Sequence, residues 1–264
     1  MHVDVFDQFQ FTESKLHSLD PRVKVVVSVA FILSNAILPD GSWLAFALAW
    51  LFLLIANDLS NLGLGFTLKR SVIALPFAVV AVSAIFSPRG EPLAVWDLGF
   101  MTLIPTDAGL IRFASIMLRS WLSVQIAILL VATTRFPDLI HALEHLRLPR
   151  TLTTIIAFLF RYLFVLTNEV FRILRAREAR SARLPGVSGG GNLGWRIKTT
   201  GSMAGQLFTR SYERSDRIYQ AMISRGYTGH IRTLNPHRVQ RQDWTFLSVA
   251  AGVLILIQLV GWIV

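Results

Sequence analysis

Residues 244–264 contain no charged side chain. At ~1.5 Å rise per helical residue they reach about 31 Å, the thickness of a bilayer's hydrocarbon core. A run of this kind commits the chain to a membrane crossing, with Trp244 and Trp262 placed for the two interfaces. Other apolar runs approach the same length, and a hydrophobic content of 53% with a mean hydropathy of +0.53 exceeds that of an ordinary soluble domain. The expected class is an all-α integral membrane protein. Residues 1–20 are polar and mixed in charge, unlike a cleaved signal peptide, so the first apolar span is expected to remain in the mature protein.

Asp20-Pro21 reads as a helix start, because Asp caps free amides and Pro suits the first helical position. Span one follows at 23–38 and stops at Pro39-Asp40-Gly41. Span two covers 43–56, followed by a polar link holding Lys69 and Arg70. Span three covers 72–86. A turn-rich link and a weakly apolar piece to Ile104 follow, the latter read as re-entrant or interfacial. Span four, 108–133, carries Arg112 and Arg119 two turns apart, with Asp107 and Asp97 as candidate partners.

The positive charge is local. Of 26 Lys and Arg, 18 lie within 134–242 against 6 acids, so this stretch carries +12 of a net +10 and the remainder −2. Basic loops beside apolar spans follow the positive-inside bias, and no nucleic-acid motif accompanies them, so nucleic acid is not an expected partner. Without cysteine there is no disulfide or thiolate chemistry.

Segment 152–166 is apolar enough to cross yet holds Arg161 and runs on into the arginine cluster. If it crosses, the basic 134–242 stretch and the Lys15/Arg22/Lys24 end fall on opposite faces. If it lies along the surface, nearly every basic group is cytoplasmic. The expected organisation is therefore transmembrane helices one to four in 1–133, a cytoplasmic-face arm of two or three helices in 134–242, and a fifth crossing in 243–264. The N-terminus is placed in the cytoplasm and the C-terminus outside. Within the arm one helix is expected over 151–183, a breaker at Pro185-Gly186, and a second helix over 198–224. In that second helix Met203, Leu207, Ser211, Ser215, Ile218 and Met222 recur at helical spacing.

Both helix ends carry arginine, in Arg177-Glu178-Ala179-Arg180-Ser181 and Ser224-Arg225-Gly226. A planar, permanently charged fork at such a position suits paired hydrogen bonds to a partner's carboxylates, whereas isolated arginines there commonly snorkel to lipid headgroups. His141-Ala142-Leu143-Glu144-His145 fits an inverted zinc-peptidase pattern, two histidines a turn apart with a glutamate as base, but no third ligand stands at matching spacing. Gly189-Gly190-Gly191-Asn192-Leu193-Gly194 matches a dinucleotide fingerprint only formally, with no strand before it, and no P-loop occurs.

These features together resemble the transmembrane T-components of energy-coupling factor transporters, most closely the cobalt-transport branch CbiQ. The resemblance rests on Leu19-Asp20-Pro21-Arg22-Val23-Lys24, on Phe160-Arg161-Tyr162, on the cluster from Leu174 to Ser181, and above all on the run from Arg210 through Ser224-Arg225-Gly226-Tyr227 to Gly229. It implies a subunit without catalysis or cofactor, metal-free, whose two Ala-Arg-Gly-like motifs insert into two cytoplasmic ATPase subunits. Those motifs correspond to Ala179, Arg180, Ser181 and to Ser224, Arg225, Gly226. It departs from the pattern at Ser181 and Ser224. It further implies a small membrane substrate-binding partner on the arm's apolar surface, assigned to Leu152, Ile156, Phe160 and Leu163. The implied setting is the inner (plasma) membrane, and the implied cargo is Co²⁺ for cobalamin synthesis, then Ni²⁺, then a vitamin. A membrane zinc peptidase using His141, Glu144 and His145 is the alternative from another class.

Overall fold

The computed structural model describes residues 9–10, 12, 14–74, 76, 79, 81–86, 96–97, 102–103, 106–180, 192–229 and 239–263. The chain is an all-α membrane protein. Its helices are α1 (Pro21–Ile37), α2 (Trp43–Ser60), α3 (Leu64–Ser71), α4 (Asp107–Thr133), α5 (Phe136–His145), α6 (Arg150–Arg180), α7 (Leu193–Ser224) and α8 (Arg241–Ile263). Short 3-10 turns lie at Val72–Ala74 and Val82–Phe86. Among the described residues four helices, α2, α4, α6 and α8, are long and apolar enough to cross a membrane. At 17 residues α1 reaches about 26 Å. The piece expected to be re-entrant contains a two-residue antiparallel pairing of Trp96–Asp97 with Thr102–Leu103.

Two compact units divide the chain. One holds 1–146 and 236–264, the other 147–235. The helix α5 thus falls in the first unit.

In the first unit α1, α2, α4 and α8 enclose a core around Phe31, Phe46, Leu53, Leu122, Ile126 and Ile257. Phe31 stacks on Phe52 with ring centroids 5.5 Å apart. Lipid tails are as apolar as this core, so close packing and interhelical hydrogen bonds must supply the specificity. Asn35 Nδ2 donates to Arg119 O at 3.0 Å and to Ser123 Oγ at 3.1 Å. Gln258 Nε2 donates to Ser34 O and Oγ at 2.6 and 2.9 Å, and Trp121 Nε1 donates to Ser71 Oγ at 2.9 Å. The last of these engages α3, an amphipathic helix where the sequence suggested only a polar link.

The helix starts are tied to one another. Asp20 caps α1 by accepting from Arg22 N at 2.9 Å, as its position before Pro21 predicts. The Asp20 N–H donates to Asp243 Oδ1 at 2.9 Å, and Gln240 N donates to Asp243 Oδ2 at 2.7 Å, so one buried carboxylate joins the beginnings of α1 and α8. The buried Lys24 amine donates to His17 O at 3.0 Å and Thr133 O at 3.1 Å. His17 Nε2 donates to Gln10 O at 3.1 Å, which leaves Nδ1 to accept from the Ser14 hydroxyl at 2.6 Å. Burial and the Lys24 charge hold the His17 imidazole below the usual histidine range.

Arg119 pairs with an acid in the turn after α1. Its guanidinium donates to Asp40 Oδ1 at 2.7 Å and to Leu38 O. The turn at Pro39-Asp40-Gly41 brings that carboxylate beside α4. Arg112 is exposed.

Candidate functional site

The second unit is a crossed pair of long helices, α6 with 31 residues and α7 with 32. No residue of α7 is fully buried. Its half-buried positions, Thr199, Met203, Leu207, Ser211, Arg214, Ile218 and Met222, recur every three or four residues and form the seam against α6. The helix starts at Leu193, five residues before the expected 198, because Asn192 provides an extended N-cap and Gly194 sits inside the first turn without breaking it. The first helix ends at Arg180 within the described residues. Its expected continuation to Arg183, Ser181 of the first motif, and the breaker at Pro185-Gly186 lie outside them.

The crossing is fixed by one carboxylate. Glu169, with only 11% of its side chain exposed, accepts from Arg210 Nη1 at 2.7 Å. Guanidinium nitrogens of Arg172 and Arg214 stand 4.0 Å from its other oxygen. Three arginines around one acid leave the pair strongly basic.

On one side of this pin the notch between the helices is apolar. A groove of about 610 Å³ is lined by Phe158, Tyr162 and Leu166 of α6 and Phe208, Tyr212 and Tyr219 of α7, among others. Of the residues assigned to a partner-binding surface, Leu152 is exposed while Ile156, Phe160 and Leu163 are half-buried. Phe160 stands edge-on to Phe164 at 5.1 Å. They follow a different line along α6 from the groove residues, two positions out of phase, which on a helix means roughly the opposite side. Reading α6 by itself does not find the groove, because half of its wall comes from α7.

The two ends differ in their caps. Arg180 is the last residue of α6, exposed beside exposed Ala179. At the end of α7, Tyr227 N donates to Met222 O at 3.0 Å and Gly226 N to Ile223 O at 2.9 Å, the paired bonds of a Schellman cap. Gly226 has φ +79°, a conformation that glycine takes without cost. The Ser224 hydroxyl donates to Gln220 O at 2.8 Å. Arg225 is thus exposed on a closed, hydrogen-bonded turn.

The histidine pair of the first unit offers less. His141 and His145 rings meet edge to face at 4.5 Å. His145 Nδ1 donates to His141 O at 3.0 Å, and His141 Nδ1 stands 3.9 Å from Glu144 Oε2. Among the described residues no group of three His, Cys, Asp or Glu is arranged to hold a metal ion. His2, His230 and His237 lie outside those residues.

A helical body with several candidate spans and a pair of long basic helices define a multi-pass membrane protein. The family model for the cobalt transport protein CbiQ matches residues 12–236, and the chain belongs to this family, the transmembrane T-components of energy-coupling factor transporters. It is 29% identical over 259 residues to the energy-coupling factor transporter transmembrane protein of Lacticaseibacillus paracasei, covering 92% of each chain. It is likewise 29% identical over 271 residues to that of Thermanaerovibrio acidaminovorans, covering 96% of each. An uncharacterized protein of Methanocaldococcus jannaschii is 26% identical over 247 residues, 92% of this chain and 81% of the relative.

Proposed function

We propose that this T-component is the non-catalytic coupling subunit of an ATP-driven importer. Two cytoplasmic ATPase subunits grip the ends of α6 and α7 through Arg180 and Arg225, flanked by Ala179 and Ser181 and by Ser224 and Gly226. Hydrolysis changes the spacing of the ATPases, the helices follow, and a small membrane subunit that holds the substrate is tilted to open inward. The single observation that carries this reading is the crossed pair itself: two long helices pinned at Glu169, each ending in an exposed arginine. An arginine fork at a helix end is suited to a partner's carboxylates.

The substrate-binding subunit rests on the apolar side of the pair, on the groove bounded by Phe158, Tyr162 and Tyr212, with the line Leu152, Ile156, Phe160 and Leu163 as a second contact. The pair lies along the cytoplasmic face of the inner membrane, with the N-terminus cytoplasmic and the C-terminus outside. The family description supports Co²⁺ as cargo, ahead of Ni²⁺ or a vitamin.

Replacing Arg180 and Arg225 together with Ala is expected to abolish co-purification of the ATPases in mild detergent while the chain still inserts in membranes. ATPases that co-purify unchanged with the double variant overturn the docking assignment. Mass spectrometry of the wild-type complex identifies the substrate-binding subunit, and with it the cargo.

A further inference from the structure

We infer that the second notch of the crossed pair is a binding site for the phosphate headgroup of an anionic phospholipid. This notch lies across the Glu169 pin from the apolar groove and encloses about 770 Å³. Arg172, Arg177 and Arg180 reach it from α6, and Lys198 and Arg210 from α7; its lining contains no acid. Glu169 at the pin offsets one of these charges through Arg210, and the described lining keeps an excess of basic side chains. The residues alternate by helical turns, 173, 176, 177 and 180 on one wall and 195, 198, 199, 202 and 206 on the other, so the basic groups converge from both walls instead of forming a stripe on one helix.

The occupant is read from the mixture of side chains. A phosphate needs converging guanidinium and ammonium donors, which this notch supplies. Trp195 forms part of the same wall and is 47% exposed, and Leu193 and Ile197 beside it are 70% and 64% exposed. Tryptophan and aliphatic residues interleaved with cations are the chemistry of a lipid–water interface, where the ring sits among headgroups and basic stems lie along apolar surface. An acidic protein segment would account for the cations but not for the exposed Leu193, Trp195 and Ile197. This inference rests on the chain being a membrane protein; Arg180 lines the notch and also carries the proposed ATPase contact, so the test leaves Arg180 unchanged and substitutes Arg177 and Lys198.

The test uses the full chain in nanodiscs of phosphatidylcholine with and without phosphatidylglycerol, with retained lipid counted by native mass spectrometry. The wild type is expected to retain phosphatidylglycerol in preference to phosphatidylcholine. Arg177→Gln with Lys198→Gln should weaken that preference roughly 30-fold, from the contribution of each basic side chain at an anionic surface. Lys69→Gln with Arg217→Gln removes the same formal charge outside the notch and should leave the preference intact. Brominated phosphatidylglycerol should quench the wild type more than Trp195→Phe, a readout independent of the charge variants. Equal retention by the wild type and the notch variant overturns the site. So does inorganic phosphate that binds in pure phosphatidylcholine with the same dependence on Arg177 and Lys198, since the ligand is then the free ion.

Discussion

At the scale of single residues, contacts in this protein are decided by what each position can reach across a helix interface. Gly109 is the sharpest case. A Cβ there would stand well inside van der Waals contact with Ile85 O, a backbone atom that cannot rotate away. That same carbonyl accepts from Thr106 N at 3.2 Å, and Thr106 caps α4 by accepting from Gly109 N. Gly109→Ala should therefore disturb both the packing and the cap, at a cost of about 1–3 kcal/mol. Its melting temperature in detergent should fall below that of the wild type, and an unchanged value would mean that α4 shifts freely against Ile85. Gly65→Ala, where an added Cβ meets nothing within 4 Å, serves as the comparison. The same reach explains Lys24. A cation so buried at the start of a helix looks costly from sequence, yet its amine meets the carbonyls of His17 and Thr133, which satisfy it without an acid in direct contact.

At the scale of elements, legibility followed how local the determinant was. The start of α1 could be read from Asp20-Pro21, since a cap and its helix are adjacent in sequence, and the C-terminal crossing from its uninterrupted apolar run. The start of α7 at Leu193 lies ahead of the expected 198 because its first turn, 193–198, is exposed and shows no apolar periodicity, while the extended Asn192 accepts from Trp195 N and Arg196 N through its carbonyl. The Glu169–Arg210 pair joins residues 41 apart in the chain, and no local pattern marks it. It also explains why the apolar groove was missed, since the groove exists only once α6 and α7 cross. Glu169→Gln keeps the shape of the side chain but removes the charge that gathers Arg172, Arg210 and Arg214. Spin labels placed on α6 and α7 on either side of the pin should then give a broader distance distribution than in the wild type. A distribution of unchanged width would show that apolar packing alone holds the crossing.

At the scale of the whole molecule, the fold class was legible because membrane crossing is written in composition, while the number of crossings depends on α6. Its length and apolarity fit a span, whereas the charge balance argues for the membrane surface. The chain contains no cysteine, so single cysteines can be introduced one at a time against a silent background. With the proposed topology, a membrane-impermeant thiol reagent added outside should label a cysteine after Val264 and one in the 39–42 turn, and should spare cysteines at Ser18 and Ser224. Labelling of Ser224→Cys from outside would mean that α6 crosses after all.

The position of the pin along the two helices has a mechanical consequence. Arg180 lies eleven residues beyond Glu169, about 16 Å along the axis, and Arg225 lies fifteen beyond Arg210, about 22 Å. The two tips stand on opposite sides of the hinge, Arg180 on the arm of α6 that walls the basic notch and Arg225 on the arm of α7 that walls the aromatic groove. Turning the helices about the pin by about 10° carries each tip some 3 to 4 Å at those radii, and because groove and notch are opposite angles of one crossing, they widen and narrow together.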